Sequence, residues 1–268
     1  MNCRKDCRKG RINNTQTVGN IFIKTAVRAE SSRRLRLKRE MWSLFIAKKK
    51  GMSVPRVIDY YIDHKGQEVL KTEAVINGKV LTTFPIGLQI QVMKKIGSEI
   101  LKLELVSEKF GWPNPNTLKG EFDKWGLFLY DFTRRYGQRL VDRSILPNNF
   151  LESLLERISG FNFNLKNSGL VHRDIKPNNI LCTENLNEYW LIDWENSLLG
   201  DQLFDLASYG ANYGRDCLWE GLADGFGSSA VMPEKYELYE MIVLIGAIDF
   251  YRNQGIDYSQ KLKKLLRM

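Results

Sequence analysis

Between Val171 and Asp205 the chain gathers its most reactive side chains. The run VHRDIKPNNIL carries His172, Arg173, Asp174, Lys176 and Asn179, and the run YWLIDWENSLLGD carries Asp193 at the end of an apolar stretch. An Asp followed five residues later by an Asn, with a second Asp downstream, is the arrangement phosphoryl transfer needs, since the protein's task there is to position groups and neutralise charge. Hard oxygen donors hold Mg²⁺, so Asn179 and Asp193 are the expected metal ligands. Asp174 is the carboxylate expected beside an attacking hydroxyl, a base worth about 10²–10⁴-fold. The nucleotide phosphates need a cation held by an acid, and Lys24 with Glu40, sixteen residues on, fits that pair. Two plainer readings stand beside this one: Asp174 and Asp193 as turn caps, and a chain that binds nucleotide without catalysis. His172 is expected to brace the loop by hydrogen bonds and His64 to be solvated in a turn. Cys182 reads as core, and Cys3 and Cys7 as exposed thiols.

These groups require elements to carry them. Gly19-Asn20 between two extended stretches signals a hairpin, which puts Lys24 on its second strand. Glu30 to Lys50 reads as a helix carrying Glu40, with Leu35, Leu37, Met41, Leu44 and Phe45 on one face and Ser31 or Ser32 as cap. Strands are expected over Arg56–Ile62 and Glu68–Val75, with turns at His64-Lys65-Gly66 and Asn77-Gly78. From Gly87 the pattern turns helical: Ile90–Leu105, Phe122–Leu140, Phe150–Ser168 ending at Gly169, then Tyr236–Arg252 and Tyr258–Leu266. The fold class is α+β: an antiparallel-sheet lobe with one helix over residues 1–80, which binds nucleotide, and a larger helical lobe over 81–268 with the catalytic loop and acceptor site.

Composition narrows the classes. An apolar share of 43% and 268 residues are enough to bury a core. The longest apolar candidate, Met241–Ile248, falls far short of a spanning helix, and no apolar segment follows the basic N-terminus as a signal peptide would. Four cysteines and two histidines make neither a disulfide framework nor a zinc site. A cytoplasmic protein is expected. The net charge of +9 is uneven: residues 1–60 hold 16 Lys/Arg against 4 Asp/Glu, residues 201–268 hold 7 against 10. Without interleaved aromatics or a nucleic-acid motif, the basic half reads as a solvated face beside a nucleotide site, and nucleic acid is disfavoured.

Taken together, these residues resemble the aminoglycoside phosphotransferase and choline kinase-like superfamily, which has a two-lobed protein-kinase-like fold. Gly10 to Thr15 is similar to its nucleotide loop, Val54-Pro55-Arg56-Val57 to one of its strands, and Glu73 to Gly78 to its interlobe hinge. His172, Asp174 and Asn179 match its catalytic loop, and Ile192-Asp193-Trp194-Glu195 with Gly200-Asp201 and Phe204 to Ala207 match its metal-binding strand and the helix start after it. The resemblance implies Mg²⁺-dependent transfer of the ATP γ-phosphate to a small-molecule hydroxyl, with Asn13 and Glu73 joining Lys24 and Glu40 around the nucleotide. Arg173 and Lys176 stand where the family more often has Gly and His, and Lys176 would reach the transferred phosphate as in protein kinases. The nine residues before Gly10 predict a short or missing first strand. The short passage from Asp193 to Asp205, with no Ala-Pro-Glu after it, favours a small acceptor over a protein. A protein or envelope-saccharide kinase and an inactive nucleotide binder are the alternatives. Asp216, Glu220, Asp224, Glu234, Glu237 and Glu240 lie among Tyr209, Tyr213, Trp219, Phe226, Tyr236 and Tyr239. They either line a site for a cationic acceptor (choline-, thiamine- or aminoglycoside-like) or are surface charges and core aromatics.

Overall fold

Gly19 takes φ 58° at the first central position of a two-residue turn, the conformation that lets strands of right-handed twist close tightly. The turn joins β2 (Asn13–Val18) to β3 (Ile21–Ala26), with Val18 opposite Ile21 and Thr15 opposite Lys24. In this computed structural model the described residues are 8–9, 13–26, 35–104, 107–163, 165, 168–227 and 233–268. They form two compact units: residues 1–92, 113–118 and 174–197, and residues 93–112, 119–173 and 198–268.

In the first unit a short β1 (Arg8–Lys9) flanks β2. After β3 comes α1 (Arg36–Lys49), then β4 (Val57–Ile62) and β5 (Glu68–Glu73). The strands make an antiparallel sheet in the order β1-β2-β3-β5-β4. Helix α1 begins at Arg36, beyond Ser31 and Ser32, which lie outside the described residues. It has no side-chain cap of its own. The buried carboxylate of Glu68 on β5 accepts the Lys38 N–H at 2.9 Å instead, satisfying one of the orphan donors of the first turn. The buried face is Leu37, Glu40, Trp42, Ser43, Leu44 and Ala47. Phe45, expected on it, is 62% exposed. Trp42, one turn earlier, is buried instead, as is Glu40. Next come β6 (Lys79–Val80) and α2 (Ile86–Leu101). Helix α2 starts four residues before the expected Ile90 and crosses from the first unit into the second.

The second unit continues with α3 (Trp125–Val141), α4 (Asn148–Gly160) and β7 (Gly169–Val171). Helix α4 stops eight residues short of the expected end, and Gly169 opens a strand. The cause is tertiary: Phe161 leaves the helix in extended conformation, and the Phe163 ring stacks on Tyr239 with centroids 5.8 Å apart. The chain then returns to the first unit for β8 (Ile180–Cys182) and β9 (Tyr189–Leu191), which form an antiparallel ladder with β6. In the second unit β10 (Leu198–Gly200) pairs with β7. It is followed by α5 (Leu203–Tyr213), α6 (Cys217–Phe226), α7 (Pro233–Asn253) and α8 (Ser259–Leu265). Helix α6 was not expected from its glycine-interrupted sequence. Asp216 caps it by accepting the N–H groups of Leu218 and Trp219.

Helix α7 is buried nearly all round, from Tyr236 to Ile248, as suits the central helix of a core. Trp125 anchors that core. It stacks on Phe128 (5.2 Å) and meets Phe204 edge-on (5.6 Å). Its indole N–H donates to Tyr239 Oη at 2.8 Å, and Tyr239 in turn donates to Asp201 at 2.7 Å. The buried ring therefore keeps its polar atom satisfied.

Candidate active site

Lys24, Glu40, Asp174, Lys176, Asn179 and Asp193 all belong to the first compact unit. Lys24 points inward from the middle of β3, and Glu40 faces it from α1. Their Nζ and Oε2 are 2.9 Å apart with side chains 10% and 6% exposed. The same Nζ lies 2.6 Å from Asp193 Oδ1 and 3.2 Å from Glu195 Oε2. Burial alone would lower the Lys24 ammonium, but Glu40, Asp193 and Glu195 together raise it well above the ordinary lysine value. Burial is also the largest effect on Glu40. With Asp193 and Glu195 it raises that carboxyl above its ordinary value, against the opposing pull of Lys24. One ammonium serves three carboxylates.

The loop after β7 delivers the second set. The backbone N–H groups of His172 and Arg173 donate to the buried Asp205 carboxylate at 2.9 and 2.5 Å. His172 is fully buried. Arg173 adopts φ 69°, a left-handed conformation uncommon outside glycine. Its guanidinium lies over the rings of Trp112 (4.8 Å) and Phe132 (5.5 Å). Next in sequence, Asp174 accepts Lys176 Nζ at 2.6 Å and Asn179 Nδ2 at 2.9 Å on Oδ2. Asn179 also donates to the Asp174 carbonyl. A 3₁₀ turn over Pro177–Asn179 sets this reach.

Within the first unit the β8–β9 ladder ties the Asp174–Asn179 turn to the strand that leads to Asp193. Ile180 pairs with Leu191, and the Ile192 N–H donates to Asn179 O at 2.9 Å. Asp193 follows at φ 68°, again left-handed. The fully buried Trp194 is tied to Leu191 O through its indole N–H. The Asp193 side chain is 36% exposed, with Oδ1 on Lys24 Nζ. Oxygen atoms of Glu40, Asp193 and Glu195 lie within 4.8 Å of one another, a donor set of the kind hard cations take.

The remaining expectations divide. Asn13 joins the cluster: it is buried and its Nδ2 donates to Glu195 Oε2 at 2.5 Å. Gly10, Arg11 and Ile12, the start of the expected nucleotide loop, lie outside the described residues, as do Cys3 and Cys7. Glu73 does not join. It ends β5 with its side chain half exposed and paired with Arg56 at 2.6 Å. Cys182 is core, and burial pushes its thiol up to about 11. Among the acidic and aromatic residues of 201–268, Asp216 caps a helix and Glu240 is buried against Lys264 and Arg215. Asp224 pairs with Lys94, and Tyr236 and Tyr239 are core. These five follow the surface-and-core reading, while Tyr213 is 48% exposed. Glu195 stands in the motif around Asp193, but the sequence assigns it no role of its own; the structure adds it to the cluster. Arg36, which bonds Glu195 at 3.2 Å and Asn196 at 2.7 Å, had no signal in the sequence.

The sequence profile of the phosphotransferase enzyme family matches residues 21–239, from the strand of Lys24 to the middle of α7. The chain belongs to the phosphotransferase enzyme family. It is a phosphotransferase of mixed α/β, kinase-like architecture. Its structure is similar to that of a thermostable mutant of aminoglycoside phosphotransferase APH(4)-Ia, with TM-score 0.75 and 15% identity over 98% of this chain and 94% of that one. It is also similar to the choline kinase LicA from Streptococcus pneumoniae (0.67 and 18%, over 97% and 92%). A third likeness is to a choline/ethanolamine kinase family protein from Mesorhizobium loti (0.66 and 16%, over 99% and 86%). No curated protein matches in sequence. Among its described residues no helix is long and apolar enough to cross a membrane.

Proposed function

We propose that this phosphotransferase moves the γ-phosphate of ATP to a hydroxyl of a small molecule with the help of Mg²⁺. The observation that carries the reading is Lys24 Nζ held between Glu40 (2.9 Å) and Asp193 (2.6 Å), one hydrogen bond along the chain from the Asp174–Asn179 turn. A phosphate-binding cation, a metal-binding carboxylate and a hydroxyl-activating carboxylate are the parts that act together on a γ-phosphate. Structures of APH(4)-Ia mutants have been solved with ADP or AMP-PNP together with hygromycin B, which supports a nucleotide and a small acceptor for this relative of the same fold.

In this reading Asp174 accepts the hydroxyl proton of the acceptor at a carboxylate oxygen. Asn179, donating to Asp174 Oδ2 and to its carbonyl, fixes the direction that oxygen faces. Lys176, 2.6 Å from Asp174, meets the oxygens of the transferred phosphoryl group. Lys24 binds the phosphates that stay behind, and Glu40 keeps its rotamer. Mg²⁺ would be held by Asp193 and by Asn179 through Oδ1, its amide nitrogen being engaged with Asp174, with Glu195 within reach. When bound it neutralises charge on the phosphates. Asn13 stabilises the phosphate end through Glu195. The donor being a cytoplasmic nucleotide, the protein is assigned to the cytoplasm. Of the six acids behind the cationic-acceptor reading, Asp216 caps a helix, Asp224 and Glu240 are ion-paired, and Glu220, Glu234 and Glu237 are exposed.

A coupled ADP-release screen with Mg-ATP over amino alcohols, thiamine, sugars and aminoglycosides tests this. Acceptor-dependent ADP release with at least one class is expected. ATP binding with no such release from any class would count against it.

A further inference from the structure

The roles above leave an imbalance of charge around Lys24. Glu40, Asp193 and Glu195 bring three carboxylates whose oxygens lie within 4.8 Å of one another. Two of these side chains are all but buried, at 6% and 7% exposure. Like charges at such spacing repel strongly once removed from water. Arg36 relieves Glu195 alone, through its Oε1. Among the described residues, the cation that reaches all three is Lys24, at 2.9, 2.6 and 3.2 Å. It sits on Oδ1 of Asp193, one of the two carboxylate oxygens with which that residue would hold a divalent cation.

We propose that Lys24 is a stand-in counter-ion in the ligand-free protein, and that it bars a divalent cation from Asp193 until nucleotide phosphates draw its ammonium away. The inference rests on the nucleotide reading above and adds an order to it. The phosphates arrive first as competitors for Lys24, and the carboxylates, left without their cation, become the cation site. Nucleotide and metal then reinforce each other's binding through one side chain, a coupling that is reciprocal by thermodynamic necessity. Glu195 sharpens the effect, because a third carboxylate, itself buried, makes the cluster costlier to leave without a cation.

Terbium(III), an oxygen-seeking ion excited through nearby tryptophan, reads cation occupancy without turnover, and Trp194 lies between Asp193 and Glu195 in sequence. On nucleotide-free protein, Lys24→Met and Lys24→Gln should bind terbium about tenfold or more tightly than wild type, since a unit positive charge has left the site. Lys24→Arg, which keeps the charge, should bind as weakly as wild type. Adding Asp193→Asn to Lys24→Met should abolish the gain. Equal affinity in wild type, Lys24→Met and Lys24→Gln would overturn the proposal, as would a gain that survives Asp193→Asn. Two neutral variants guard against one that fails to fold. ATP binding to wild type, measured by calorimetry in the same buffer, keeps the two readings apart. Its absence overturns the nucleotide reading, while the terbium series still decides whether Lys24 occupies the cation's place.

Discussion

Two residues at the site hold left-handed backbone without being glycine: Arg173 at φ 69° and Asp193 at φ 68°. Each such residue costs about 1–2 kcal/mol, and strain of this kind persists only where the surroundings over-determine it. At Arg173 the surroundings are the Asp205 carboxylate on its N–H and the Trp112 and Phe132 rings on its guanidinium. The two contributions separate by substitution. Arg173→Gly loses the ring contacts and gains a residue at ease with positive φ. Arg173→Ala loses the contacts and keeps the strain. Urea denaturation should therefore find Arg173→Ala less stable than Arg173→Gly by about 1 kcal/mol. An alanine variant as stable as the glycine one would mean that the backbone at 173 is unstrained.

At the scale of elements, two features of the helical unit carry predictions. Helices α2 and α6 approach so closely that a Cβ on Gly225 would stand 2.2 Å from Lys94 O, and one on Gly97 2.5 Å from Leu222 O. Backbone cannot retreat as a side chain can, so Gly225→Ala should cost about 1–3 kcal/mol, read from the denaturation midpoint. A cost near zero would show that the helices slide apart freely. The second feature is the fastening of α8 to the C-terminal end of α5. Lys261 Nζ lies 3.0 Å from Asn212 Oδ1 and 3.4 Å from Ala211 O. Burial, and then the charge of Lys264, bring its amine down from 10.5 to about 8. The folded chain thus releases this proton before the unfolded chain does. Between those two values the unfolded state binds more protons, so the Lys261 contribution to stability rises with pH. From pH 7 to 9.5 the urea midpoint of wild type should climb relative to that of Lys261→Gln; parallel curves would contradict the assignment.

The same scale shows what could be read from the chain alone. The spacing of Asp174 and Asn179, the apolar approach to Asp193, and Lys24 on a strand with Glu40 on the next helix are local patterns, and the structure brings those residues together. The Gly19-Asn20 hairpin was legible because turn chemistry is local as well. Glu195 was not legible as a partner of Asn13, 182 residues away, because a long-range hydrogen bond leaves no periodic trace. Helix α6 was missed because glycines depress its propensity, and its support comes from the Asp216 cap and from packing. The end of α4 was misplaced because burial of Phe163 against Tyr239, and not any breaker after Gly160, ends the helix. Periodicity alone puts Phe45 on the core face, but the buried face of the helix is Leu37, Glu40, Trp42, Ser43, Leu44 and Ala47.

In the whole molecule, membership of the phosphotransferase enzyme family goes with a site in which one lysine, three carboxylates and an Asp–Lys–Asn turn lie within one compact unit. In the proposed function this turn acts on a small hydroxyl acceptor, with Asp174 taking the proton. The most direct measurement follows labelled γ-phosphate from ATP into the acceptor found by screening, for wild type and Asp174→Asn side by side. Both proteins should bind ATP with similar affinity, and the substituted protein should transfer label about 10²–10⁴-fold more slowly. Equal transfer by the two proteins, or label appearing in no acceptor although ATP binds, would contradict the account.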